Sequence, residues 1–78
     1  MLEGHMLAQA IPVGARLGVP DLLKSGPASS DELARRTETH PASLYRLLRI
    51  LAAAGLLVET PHRRFALSPL GALLRSDV

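Results

Sequence analysis

Seventy-eight residues, 47% of them apolar, 21% charged and with a formal net charge of +2, make one small domain and leave no room for a second. With no cysteine, disulfide bridges, thiolate metal sites and a cysteine nucleophile are excluded, and a reducing compartment is allowed. The longest apolar stretches, residues 50–57 among them, fall well short of the ~18–20 residues of a membrane span, and Glu3, Gly4 and His5 stand where a signal peptide would need a basic and then an apolar run.

Residues 6–17 carry Met6, Leu7, Ala10, Ile11, Val13, Ala15 and Leu17, dense enough for a helix buried on more than one side. Pro12 is expected to kink or split it. Gly18 stops this helix, and Pro20 starts a short helical turn over residues 20–24 that Ser25, Gly26 and Pro27 close. Ser29 or Ser30 caps the next helix, which has Asp31 and Glu32 in its first turn and runs to Thr37. After the polar residues Glu38, Thr39 and His40, Pro41 opens the clearest helix, ended by a glycine C-cap at Gly55. Its Leu44, Leu47, Leu48 and Leu51 recur at i, i+3, i+4 and i+7, which sets four leucines on one inward face. Leu56, Leu57 and Val58 predict a short strand, residues 60–63 a turn and residues 64–67 a returning strand. Ser68 and Pro69 cap and start a last short helix over residues 70–75, carried by Leu70, Leu73 and Leu74.

This order predicts a mainly α, winged helix-turn-helix domain, helices plus a two-stranded β-hairpin wing, over residues 1–78, with residues 1–6 given no weight. Such folds serve as DNA readers and as protein-interaction modules. A DNA reader would place its contacts at Ser43, Arg46 and Arg49 on the helix from Pro41 and at Arg63 and Arg64 in the wing. The outward arc of that helix, Ala42, Arg46, Arg49, Ile50 and Ala53, has no Asn, Gln or Lys, so direct base readout has little to work with. Its arginines read first as solvated or salt-bridged surface groups. Met6, Leu7, Ile11, Val13 and Leu17 offer more apolar surface than a core this small can cover, which points to a dimer interface, with ordinary intrachain core as the alternative. His5, His40 and His62 lie in the N-terminal segment, at a helix start and in a turn, and are assigned neither catalytic nor metal-binding roles. Tyr45 and Phe65, the only aromatic residues, are read as packing residues.

Specific segments carry a family likeness. They are residues 15–23 (ARLGVPDLL), Gly26-Pro27, Asp31-Glu32-Leu33-Ala34, residues 40–51 (HPASLYRLLRIL), Gly55-Leu56-Leu57 and residues 65–77 (FALSPLGALLRSD). Together they resemble the N-terminal dimerisation domain of S-adenosylmethionine-dependent small-molecule O-methyltransferases of the bacterial polyketide-tailoring and plant phenolic type. The resemblance implies a domain that homodimerises and helps to close a substrate cavity, while a following Rossmann-like catalytic domain binds S-adenosylmethionine. It implies a second copy and that catalytic domain as partners, a small aromatic or polyketide hydroxyl as acceptor, and a cytoplasmic setting without membrane contact. These 78 residues contain no glycine-rich loop after a strand and no acidic residue placed for a ribose, so they are expected to bind no cofactor and to be catalytically silent. The alternatives are a winged-helix DNA-binding transcriptional regulator, the less favoured reading, and a free-standing interaction module.

Overall fold

A computed structural model describes residues 2–74 of the chain, with side chains for residues 9–73. The first helix, α1, spans Leu2–Leu17, so residues 2–6 belong to it. Pro12 lies inside α1 without dividing it, contrary to the expectation of a split. Pro12 stands at an exposed position of the helix. Gly18, at φ 78°, ends α1, and α2 follows over Val19–Leu22 with proline in its first turn.

Helix α3 (Ser30–Thr37) is capped by Ser29, whose hydroxyl accepts from the Glu32 amide at 3.1 Å. Replacing Ser29 by Ala is therefore expected to cost about 1 kcal/mol, read as a lowered urea midpoint with unchanged slope. The turn out of α3 passes through Glu38 in the left-handed region, with the Thr39 amide returning to the Ala34 carbonyl at 3.0 Å. Helix α4 (Pro41–Ala53) starts at His40, whose Nδ1 accepts from the Ser43 amide at 3.4 Å. It ends where Gly55 turns left-handed and the Leu56 amide reaches the Leu51 carbonyl at 3.0 Å.

The wing has three strands, where the sequence predicted two. A short β1 (Ala28–Ser29) pairs antiparallel with β3 (Arg64–Leu67), which pairs on its other side with β2 (Leu57–Thr60). Two residues are too few to show strand alternation, and the Ser29 that fits a cap also supplies half of the strand. The bond from the Ser30 amide to the Arg63 carbonyl, 2.9 Å, continues this pairing into α3 and helps to hold Arg63 at its positive φ. The last helix is a 3-10 turn over Gly71–Leu74, begun by the Ser68 hydroxyl accepting from the Gly71 amide at 3.0 Å. Arg75, in the helix that the sequence predicted, lies outside the described residues. Leu33, Leu48, Val19 and Phe65 are the largest fully buried apolar side chains, and they draw α2, α3, α4 and β3 around one core.

Candidate functional site

The closest feature to a binding site lies between α1 and α4. The two helices approach near Gly14, where a Cβ would stand 3.1 Å from Leu51 Cδ1, and residues of both line an open groove of about 400 Å³. Ala10 and Leu44 are its buried residues, Val13 and Leu17 line it from α1, Leu47 and Ile50 line it from α4, and Gln9, Thr39, Ser43 and Arg46 supply its polar atoms. Val13 is 36% exposed, and this apolar groove between helices is a surface suited to another helix. Among the described residues no His, Cys, Asp and Glu come together in a group of three that could hold a metal.

Of the five residues that the sequence assigned to an interface, the structure brings Val13 and Leu17 together here. Ile11 lies elsewhere: it is half-buried and lines a small internal cavity with Gly14, Val19, Leu51 and Leu57. The side chains of Met6 and Leu7 lie outside the described residues, as does that of His5. Leu47, read from the sequence as inward-facing, is only half-buried and joins the groove. Ile50, read as outward, does the same. Of the four leucines of the stripe, Leu44, Leu48 and Leu51 are the ones that enter the core.

The basic residues are distributed over three surroundings. Arg49 Nε lies 3.2 Å from Glu59 Oε1, and Arg49 Nη1 donates to the Tyr45 hydroxyl at 3.3 Å, while that hydroxyl donates to Glu59 Oε2 at 2.9 Å. The hydrogen bond to Tyr45, and after it the Glu59 charge, hold the Arg49 guanidinium above its ordinary pKa. Arg63 lies over the Tyr45 ring, 4.9 Å from its centre, and Arg64 donates to the Pro27 carbonyl at 3.2 Å. Three of the four arginines that a DNA reader would use are thus engaged within the domain. Arg46 stands on the groove with Ser43. Tyr45 and Phe65 pack edge to face, centres 6.0 Å apart, as packing residues would. His40 caps α4, and His62 occupies the wing turn at φ 65°.

Elsewhere Val58 on β2 is 50% exposed, and Leu70, just before the 3-10 helix, and Leu73, within it, are 53% and 67% exposed. No described helix is long and apolar enough to cross a membrane.

A family model described as the O-methyltransferase dimerisation domain matches residues 1–77. The chain is 40% identical over 76 residues to the phenazine O-methyltransferase PhzM of Lysobacter antibioticus, covering 97% of this chain and 22% of that protein. It also superposes on N,N-8-amino-8-demethyl-D-riboflavin dimethyltransferase from Streptomyces davawensis, with a TM-score of 0.88 and 44% identity over 91% of this chain and 21% of that one. A methyltransferase of calicheamicin biosynthesis in its SAH-bound form gives a TM-score of 0.88 and 43% identity over 96% of this chain and 22% of that one. The chain thus spans about a fifth of the length of the relatives that it matches.

Proposed function

The chain belongs to the O-methyltransferase dimerisation-domain family, and on that premise we propose that it holds two copies of an S-adenosylmethionine-dependent methyltransferase together, helps to close the substrate cavity, and is catalytically silent by itself. The observation that carries this reading is the apolar groove between α1 and α4, an uncovered surface with Val13, Leu17, Leu47 and Ile50 around it. Burying such a surface favours association in proportion to the apolar area removed from water.

Binding of the cofactor and transfer of the methyl group fall to a domain of the kind that makes up the rest of the relatives' length. Support for the cofactor comes from the SAH-bound relative, and support for a small aromatic or polyketide acceptor from relatives named for phenazine and mitomycin chemistry. One relative is an N,N-dimethyltransferase, so this domain accompanies transfer to nitrogen as well as to oxygen. Selection of the acceptor atom therefore belongs to the catalytic part of the enzyme.

Sedimentation equilibrium of the 78-residue chain, with and without a short random-sequence duplex at low salt, tests the reading. The expected result is a dimer, twice 8.3 kDa, unchanged by DNA. A monomer at tens of micromolar would overturn it, and uptake of the duplex with steep salt dependence would favour a nucleic-acid function instead.

A further inference from the structure

We infer that His40 is an acid-sensitive cap: its neutral ring holds the first turn of α4 closed, and a proton taken up at Nδ1 releases that turn. The backbone of His40 is extended, at φ −70° and ψ 124°, and its carbonyl accepts from the Leu44 amide at 2.9 Å, which is the geometry of a helix cap. The ring completes the cap, with Nδ1 accepting from the Ser43 amide at 3.4 Å. A ring nitrogen accepts only while it carries no proton. Protonation makes Nδ1 a donor facing another donor, and it sets a positive charge at the positive end of the helix dipole.

Nothing else in that turn takes over the role. Pro41 has no amide to hold, and the first turn of α4 contains no acidic residue. Helix α3 is built otherwise, since Ser29 caps it through a hydroxyl that does not titrate in this range, with Asp31 and Glu32 in its first turn. The charged groups along the two helices at this end are Arg35, Arg36 and Glu38 from α3 and the turn after it, and Arg46 from α4. Arg36 pairs with Glu32 at 3.3 Å, and α1 brings the uncharged Gln9 to the groove that Thr39 and Ser43 also line. Among the described residues none of these groups is joined to the His40 ring by a hydrogen bond or an ion pair. The folded chain therefore prefers the unprotonated ring while the unfolded chain does not, so the stability carried by the cap is present on the alkaline side and lost as pH falls. Imidazoles change charge between about pH 5 and 8. Because Thr39, Ser43 and Leu44 line the groove between α1 and α4, mild acid loosens part of its wall, whether or not the chain dimerises.

The test uses the 78-residue chain carrying His5→Gln and His62→Asn, which leaves His40 as its one imidazole. Asparagine tolerates the left-handed backbone of position 62, at φ 65°. Urea unfolding at one protein concentration compares this parent with His40→Asn, whose side-chain carbonyl caps throughout the range, and with His40→Ala, which has no side-chain cap. Between about pH 7.5 and about pH 5, the folding constant of the parent relative to His40→Asn is expected to fall about 5-fold. The constant of His40→Ala relative to His40→Asn should not change. A parent ratio as constant as that of His40→Ala would overturn the inference. Amide hydrogen exchange on the parent reads the same event locally and decides alone where a variant does not fold. The protection of the Ser43 amide should fall about 5-fold as the ring takes up its proton, while that of the Glu32 amide, held by Ser29, is kept. A Ser43 amide equally protected at both pH values would overturn the inference.

Discussion

Gly71→Ala is expected to remove about 3 kcal/mol of stability, at the upper end of what overpacking costs and close to all that a core of this size supplies, about 3–5 kcal/mol. A Cβ built on Gly71 would stand 1.8 Å from the Leu56 carbonyl oxygen and 2.8 Å from its carbon. These are backbone atoms, so no rotamer change relieves the overlap. The 3-10 helix must move away from the start of β2, and that movement strains three bonds at once. They are the Gly71 amide to the Ser68 hydroxyl, the Ser68 hydroxyl to the Gly55 carbonyl, and the Ser68 amide to the Leu56 carbonyl. Gly55→Ala is the informative comparison. Gly55 has φ +84° and nothing within 4 Å of a built Cβ, so its replacement costs only the left-handed conformation, about 1–2 kcal/mol. Paired thermal melts at one protein concentration should place Gly71→Ala well below Gly55→Ala. Equal melting temperatures would show that the 3-10 helix gives way freely and does not hold the wing.

The same close approach shows where the sequence was legible. Helix α4 could be placed because three local signals agree: a proline in the first turn, leucines at i, i+3, i+4 and i+7, and a glycine just past the end. The cap at Ser29 was equally local. Strand β1 was hidden because its partner, β3, lies 37 residues on at the Ala28–Phe65 pair, and pairing across that distance leaves no mark on two residues. Apolar residues around α1 could not show which face meets α4, so Ile11 and Val13 were placed together although they face different surroundings. The tie among Tyr45, Arg49, Glu59 and Arg63 joins a helix to a wing and has no periodicity to reveal it. For the DNA reading this tie is decisive in one respect, because Arg49 would have to leave Glu59 and Tyr45 to reach a phosphate. The family likeness, by contrast, rested on whole segments and needed no assignment of faces.

Phe65→Ala is expected to be the most damaging core replacement, costing about 3–5 kcal/mol and leaving the isolated chain largely unfolded at 25 °C. Phe65 is fully buried on the central strand, opposite Ala28 on one side and Glu59 on the other. The chain has one phenylalanine, one tyrosine and no tryptophan, so no second buried ring can collapse into the space. Tyr45 would lose its edge-to-face neighbour, and the platform beneath Arg63 would loosen with it. Phe65→Leu keeps most of the volume and is expected to cost less than about 1.5 kcal/mol, which separates the loss of packing from the loss of the ring. Urea titrations followed by circular dichroism would measure both. Val13→Glu, which places a charge on the groove between α1 and α4, divides folding from assembly, since that variant should sediment as a folded monomer while Phe65→Ala loses structure first and self-association as a consequence. A folded, dimeric Phe65→Ala would mean that β3 is held by its backbone ladders and that the partner's contacts, rather than the ring, carry the stability of the wing.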